Sequence, residues 1–106
     1  MKLFKLLKGI RCRVLGSMIL DIGGLYHNDK DVKENGLFFC LNGLNFNGSD
    51  FVESAIKNGA IAIVVENEIR NLRNVTQILV KDVRKTMSLI AKNFYGKFTK
   101  LCRINP

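Results

Sequence analysis

Apolar residues first recur at Leu3, Phe4, Leu6, Leu7 and Ile10, the spacing of one helix face, and Gly9 limits that helix to about two turns. Residues 18-MILDIGGLYH-27 mix β-branched and aromatic side chains around Gly23 and Gly24, which predicts a strand with a bulge or two short strands. The polar, turn-rich stretch 28-NDKDVKENG-36 separates this from 37-LFFCL-41, apolar at every position as a strand covered on both faces must be. After the loop 43-GLNFNGSD-50, Phe51, Val52, Ala55 and Ile56 form a helical stripe. Asp50 with Glu53 predicts a capping-box-like start for it, and Asn58-Gly59 its end. The strand 60-AIAIVVE-66 follows at once, so strand, helix and strand predict a right-handed βαβ unit with parallel strands. Beyond the polar segment 67-NEIRNLRN-74, a third buried strand is expected over 75-VTQILV-80 and a helix over 82-DVRKTMSLIAKNFYG-96. In that helix Asp82 serves as N-cap, Val83, Met87, Ile90, Ala91 and Phe94 share a face, and Gly96 is the stop. The tail 97-KFTKLCRINP-106 has apolar residues enough to begin a further strand. The expected fold class is α/β: a single small domain with a mixed, mostly parallel sheet.

A length of 106 residues with 47% apolar residues agrees with one buried core. The longest continuous apolar stretch, 60-AIAIVV-65, is far short of the roughly 18 residues a membrane-spanning helix needs. Charges at Lys5, Lys8, Arg11 and Arg13 break up any secretion-signal core near the amino terminus, so that segment is expected to belong to the fold. Cys12, Cys40 and Cys102 are odd in number, have no C-x-x-C spacing and share the chain with one histidine, which points to free thiols in a reducing cytoplasm. Cys40, inside an apolar run, is expected to be a buried and inert thiol. The net charge of +8 is uneven: residues 1–14 and 81–106 are basic, and the stretch between them is acidic. Such ends suit a phosphate or an oppositely charged partner, and equally a plain solvated face.

Usual motif routes to a hydrolase or metalloenzyme are missing, with no H-x-x-x-H, H-E-x-x-H or G-x-S-x-G. His27 stands where a strand pattern turns into a polar loop, which suits a hydrogen-bonded structural histidine better than a catalytic base. Gly43 and Gly48 have the spacing of a P-loop, yet Ser49 and Asp50 stand where Lys and Ser/Thr are required to reach phosphates and magnesium. Two readings stay open for this loop. A strand-to-helix connection made of two Asn-Gly turns needs nothing more, while its place after a parallel strand is where open α/β sheets bind ligands.

Three strings together resemble the Mur ligase family, and within it the N-terminal domain of UDP-N-acetylmuramoyl-tripeptide synthetases. They are 31-DVKENGLFFCLNG-43, 50-DFVESAIKNGAIAIVVE-66 and 82-DVRKTMSLIAKNFYG-96, in register over nearly the whole chain. The resemblance implies a bacterial cell-wall enzyme whose N-terminal domain, residues 1–98 here, holds the uridine end of UDP-N-acetylmuramoyl-dipeptide. Residues 99–106 then begin the connection to a central domain that supplies the P-loop, ATP and magnesium; no cofactor is expected on this chain, and ligation by it alone is not expected. The family's uridine contacts map onto two places. A D-S-R motif corresponds to Asn28, Asp29 and Lys30, beside His27, and all three positions depart from it. The other is Leu44, Asn45 and Phe46, framed by Gly43 and Gly48, with Asn47 and Ser49 where the family prefers Asp and His. Uracil needs an apolar face, which Phe46 or Leu44 supplies, and an acceptor for N3–H at Asn45 or Asp29.

Two other function classes stay in view. An interaction module would dock its basic ends, including Lys85 and Lys92, on a separate central domain or another acidic partner. Nucleic-acid binding through the +8 charge is the third; it is disfavoured because only Phe94, Tyr95 and Phe98 interleave with the cations.

Overall fold

The computed structural model describes residues 1–43 and 47–103, with side chains through Gly96. Five strands form one sheet: β1 Arg13–Leu15, β2 Gly24–Tyr26, β3 Gly36–Phe39, β4 Ala60–Val65 and β5 Thr76–Leu79, in the order β1-β5-β4-β3-β2. β2 to β5 run parallel, and β1 pairs antiparallel with β5 at one edge. Three helices, α1 Leu3–Leu6, α2 Val52–Lys57 and α3 Val83–Arg103, cover the two faces.

Strand alternation explains why β3 and β4 carry no polar side chain. Leu37 and Phe39 point into a core closed by Leu3 and Leu6 of α1 and Val83 and Ile90 of α3. Phe38 and Cys40 point the other way, onto Val52 and Ala55 of α2. A register shift lies opposite Gly36 and Leu37, where Ile61 and Ala62 both pack on the α3 side. Two consecutive residues on one face are what an extra residue in a ladder produces. Between β4 and β5 no helix intervenes. Instead the buried Gln77 side chain accepts from Ile69 N–H at 2.9 Å and donates to Ile69 O at 2.7 Å, pinning the crossover across the α2 face.

Several expectations are corrected. The first helix is one turn, and Phe4 is exposed while Leu3, Leu6 and Leu7 are buried. Asn93 Nδ2 of α3 donates to the carbonyls of Leu6 and Lys8, satisfying the end of that turn. Of residues 18–27 only Gly24–Tyr26 is strand, with Asp21 in an isolated bridge to Lys2. β1 was not anticipated: three residues with one arginine have no readable period, and their pairing is dictated by β5. α3 passes through Gly96 to Arg103, so Gly96 is no stop and Leu101 to Arg103 are helical rather than strand. Nothing lies within 4 Å of where a Gly96 Cβ would stand, so the glycine neither packs nor turns the chain.

Candidate functional site

All four parallel strands end at the same edge of the sheet, where ligands of open α/β folds bind. β2 runs out into His27 and Asn28 and a 3-10 turn, Asp29–Asp31. Asn28 Oδ1 accepts from Lys30 N–H at 3.0 Å, and Asn58 Nδ2, just past α2, donates to Asp29 O at 2.8 Å. The two bonds fix the turn from both sides. The Asp29 carboxylate has no ion pair or hydrogen bond among the described residues, and neither has His27, which is exposed. Among the described residues His27 thus shows none of the hydrogen bonds expected of a structural histidine.

β3 leads to Leu41, Asn42 and Gly43. Asn42 Oδ1 accepts from Gly48 N–H at 2.8 Å, tying the two ends of the loop together. Gly48 is buried, and a Cβ there would stand 2.6 Å from the Cys40 carbonyl carbon and from Leu41 O. Its φ lies outside the left-handed region, so glycine is required by close approach of two backbones and not by a turn. The chain then makes a second 3-10 turn, Gly48–Phe51, before α2 begins. This displaces the expected cap. Asp50 lies inside that turn, its N–H donates to Asn47 O, and α2 starts after Phe51 without a side-chain cap.

α3 starts as anticipated, and more firmly. Asp82 Oδ1 accepts from Lys85 N–H at 3.0 Å, and Glu66 Oε2, beyond the end of β4, accepts from Val83 N–H at 3.1 Å. These bonds satisfy two of the amides in the first turn of the helix.

Between these elements lies a cleft of about 340 Å³ lined by His27, Asn28, Asp29, Phe38, Leu41, Gly48, Phe51 and Arg84. It unites the two segments separated in sequence: His27, Asn28 and Asp29 meet Gly48. Gly43 is exposed and does not line it, Lys30 is exposed outside it, and Leu44, Asn45 and Phe46 lie outside the described residues. Phe38, Leu41, Phe51 and Arg84 were not assigned from sequence. The signal for Arg84 was its place in the D-x-R of the third string, which a solvated outer face explained equally well. In three dimensions Arg84, on α3 two residues past the cap, lines the same cleft as Asp29.

Cys12 and Cys40 are not part of this chemistry: Cys40 is buried, and burial pushes it up to about 12, while Cys12 is raised by the same cause. Among the described residues no three His, Cys, Asp or Glu side chains converge as a metal site, and the loop at 43–50 lacks the P-loop lysine. These residues do not fit ATP with magnesium. No helix among the described residues is long and apolar enough to cross a membrane.

Residues 21–95 match the model of the Mur ligase family, catalytic domain. The chain is 39% identical over 99 residues to the UDP-N-acetylmuramoyl-L-alanyl-D-glutamate--2,6-diaminopimelate ligase of Caldanaerobacter subterraneus subsp. tengcongensis, covering 93% of this chain and 20% of that protein. It is 42% identical over 86 residues to the ligase of the same name from Geobacter sulfurreducens, covering 81% of this chain and 17% of the relative. The chain thus spans about a fifth of the length of such relatives. A solved structure of UDP-N-acetylmuramoylalanyl-D-glutamyl-2,6-diaminopimelate--D-alanyl-D-alanyl ligase from Acinetobacter baumannii superposes with a TM-score of 0.75. It covers 91% of this chain and 22% of the other at 18% identity, a likeness of fold.

Proposed function

Because the chain belongs to the Mur ligase family, we propose that its cleft holds the uridine diphosphate end of a UDP-N-acetylmuramoyl peptide. In this reading it supplies the substrate-holding share of a peptidoglycan-precursor ligation, in the cytoplasm, and the bond-forming chemistry belongs to an ATP-binding unit. The observation that carries the reading is the convergence of residues 27–29 with Gly48 and Arg84 on one cleft at the carboxyl edge of the sheet.

The chemistry follows from the wall. Leu41 and Phe51 offer apolar surface for a planar base. The Asp29 carboxylate accepts uracil N3–H; cytosine has no proton there, so the same carboxylate discriminates between the two bases. Asn28 has its Oδ1 engaged with Lys30 N–H, which leaves Nδ2 to donate to a uracil carbonyl. Asp29 repels a diphosphate, and Arg84, the cation of the cleft, offsets that repulsion with a bidentate guanidinium.

Titration of the isotope-labelled chain with UDP, read by amide shifts, tests this. Shifts at His27 to Asp29, Gly48 to Phe51 and Arg84 are expected, with UDP preferred over CDP and the preference relaxed in Asp29→Asn. Unperturbed amides at millimolar UDP would refute it.

A further inference from the structure

Four Asn-Gly pairs punctuate the chain, at 35–36, 42–43, 47–48 and 58–59. In such a pair the glycine nitrogen, with no side chain to screen it, can close on the carboxamide carbon of the preceding asparagine, and the fold decides whether it is free to do so. Three of the pairs are held. Gly36 N–H donates to Lys33 O at 3.1 Å and to Gly59 O at 3.3 Å. Gly59 N–H donates to Ile56 O at 3.0 Å, and the Asn58 carboxamide is itself bound to Asp29 O at 2.8 Å. Gly48 is buried, and its N–H donates to Asn42 Oδ1 at 2.8 Å.

The pair Asn42-Gly43 is different. Both residues are exposed, and Gly43 N–H has no hydrogen bond among the described residues. The bond at Asn42 Oδ1 also acts on the very group to be attacked. A donor aimed at the carboxamide oxygen draws electron density from Cγ and stabilises the negative charge that collects on that oxygen as a nitrogen adds. One amide, Gly48 N–H, therefore shields Asn47 and activates Asn42.

We propose that Asn42-Gly43 is a self-modifying site, converted to aspartate and isoaspartate by its own backbone, and that the conversion releases the wall formed by Leu41 and Gly48. Both residues line the candidate cleft, but the inference stands apart from what that cleft holds. Gly43 N bonds to Asn42 Cγ; the bond from Cγ to Nδ2 breaks, and the proton lost by Gly43 N leaves with Nδ2 as ammonia, closing a succinimide ring. Water then opens the ring, at the former side-chain carbonyl to give an aspartate or at the main-chain carbonyl to give an isoaspartate. The sum consumes one water and releases one ammonia, with no oxidant, reductant or cofactor. In the isoaspartate the oxygen that held Gly48 N–H becomes a carbonyl of a main chain one carbon longer, and the tie between the two ends of the loop is lost.

The test holds the whole 106-residue chain at pH 8 in an ammonia-free buffer and maps its peptides by mass and by isoaspartyl methyltransferase labelling. Conversion at Asn42 is expected to outrun that at Asn35 and Asn58 by at least about tenfold, since those pairs must first open locally, and the lead is expected to vanish in urea. Asn47 is expected to follow after a lag, because loss of the Asn42 carboxamide frees Gly48 N–H. In Asn42→Ala, which removes that acceptor from the start, Asn47 should convert without the lag. In the converted chain, separated from its parent by the added negative charge, hydrogen exchange at the Gly48 amide should be faster. Comparable conversion of the four pairs in the folded chain, or a lead of Asn42 that persists in urea, overturns the site. Conversion at Asn42 with Gly48 exchange unchanged, or a lag at Asn47 that survives Asn42→Ala, overturns the release of the loop.

Discussion

Replacing Gly48 by alanine is a sharp probe of the site because the groups that would meet the new methyl cannot rotate away. The Cβ would stand 2.6 Å from the Cys40 carbonyl carbon, 2.6 Å from Leu41 O and 2.7 Å from Leu41 N, all backbone atoms. Favourable contact between carbon atoms begins near 3.5 Å, so one chain segment must retreat by about 1 Å. Cys40 N–H is bonded to Val64 O at 3.0 Å, which ties that side to the sheet and leaves the loop to move. Overpacking of this kind costs about 1–3 kcal/mol. Retreat of the loop also breaks the bond from Gly48 N–H to Asn42 Oδ1, worth about 0.5–1.5 kcal/mol. The expected total is about 2–4 kcal/mol, a large share of the roughly 5–15 kcal/mol typical of a domain. Urea unfolding at an unchanged m-value of about 1–3 kcal/mol per molar should show the midpoint falling by roughly 1–2 M. Asn42→Ala, which removes the bond without the collision, should lose only the smaller part. Any UDP affinity should fall with Gly48→Ala, since the same retreat opens the cleft wall. A variant within 0.5 kcal/mol of wild type, with its loop amides unshifted, would refute the close-approach account.

Three further outcomes follow from single residues. Gly96→Ala should raise stability by about 0.5–1 kcal/mol, because the site is open space inside α3; a loss in thermal unfolding would mean that the helix ends there after all. Arg84→Gln should weaken UDP roughly tenfold by calorimetry and leave uridine almost unchanged, since a charge-assisted bond to phosphate is worth about 1.5–3 kcal/mol; equal losses for both ligands would remove Arg84 from the diphosphate. Burial holds the Cys40 thiol near 12 against an ordinary value of 9.0. That group's contribution to stability is full below pH 9 and is lost as pH rises from there toward 12. At pH 8, mass-mapped alkylation of Cys40 should proceed only through opening of the fold, and a rate matching a free thiol would contradict its burial.

Wherever the deciding interaction was local, the sequence by itself determined the element. A short unbroken apolar run such as residues 37–41, bounded by Asn-Gly pairs, reads as a strand covered on both faces, because successive side chains alternate into separate cores. Asp82 caps the helix it precedes because its carboxylate reaches an amide three residues on, whatever surrounds it. The two segments that meet at the cleft, 27–29 and the loop ending at Gly48, were also singled out in the sequence, through their resemblance to the Mur ligases and their place after parallel strands.

Tertiary structure decided the rest, for reasons of distance along the chain. β1 exists only because β5 offers it an edge, and three residues carry no period of their own. The expected Asp50 cap yields to a 3-10 turn because Asn42, outside that segment, ties Gly48 against the backbone of β3. α3 continues past Gly96 although glycine is a weak helix former, since the cost of about 1 kcal/mol does not stop a helix already anchored through Ile90 and Asn93. Arg84 shows the limit most clearly. Its charge, spacing and helix were readable, but facing outward from one's own helix does not tell solvent from cleft, and Asp29, which lines the same cleft, lies 55 positions earlier and arrives only through the sheet.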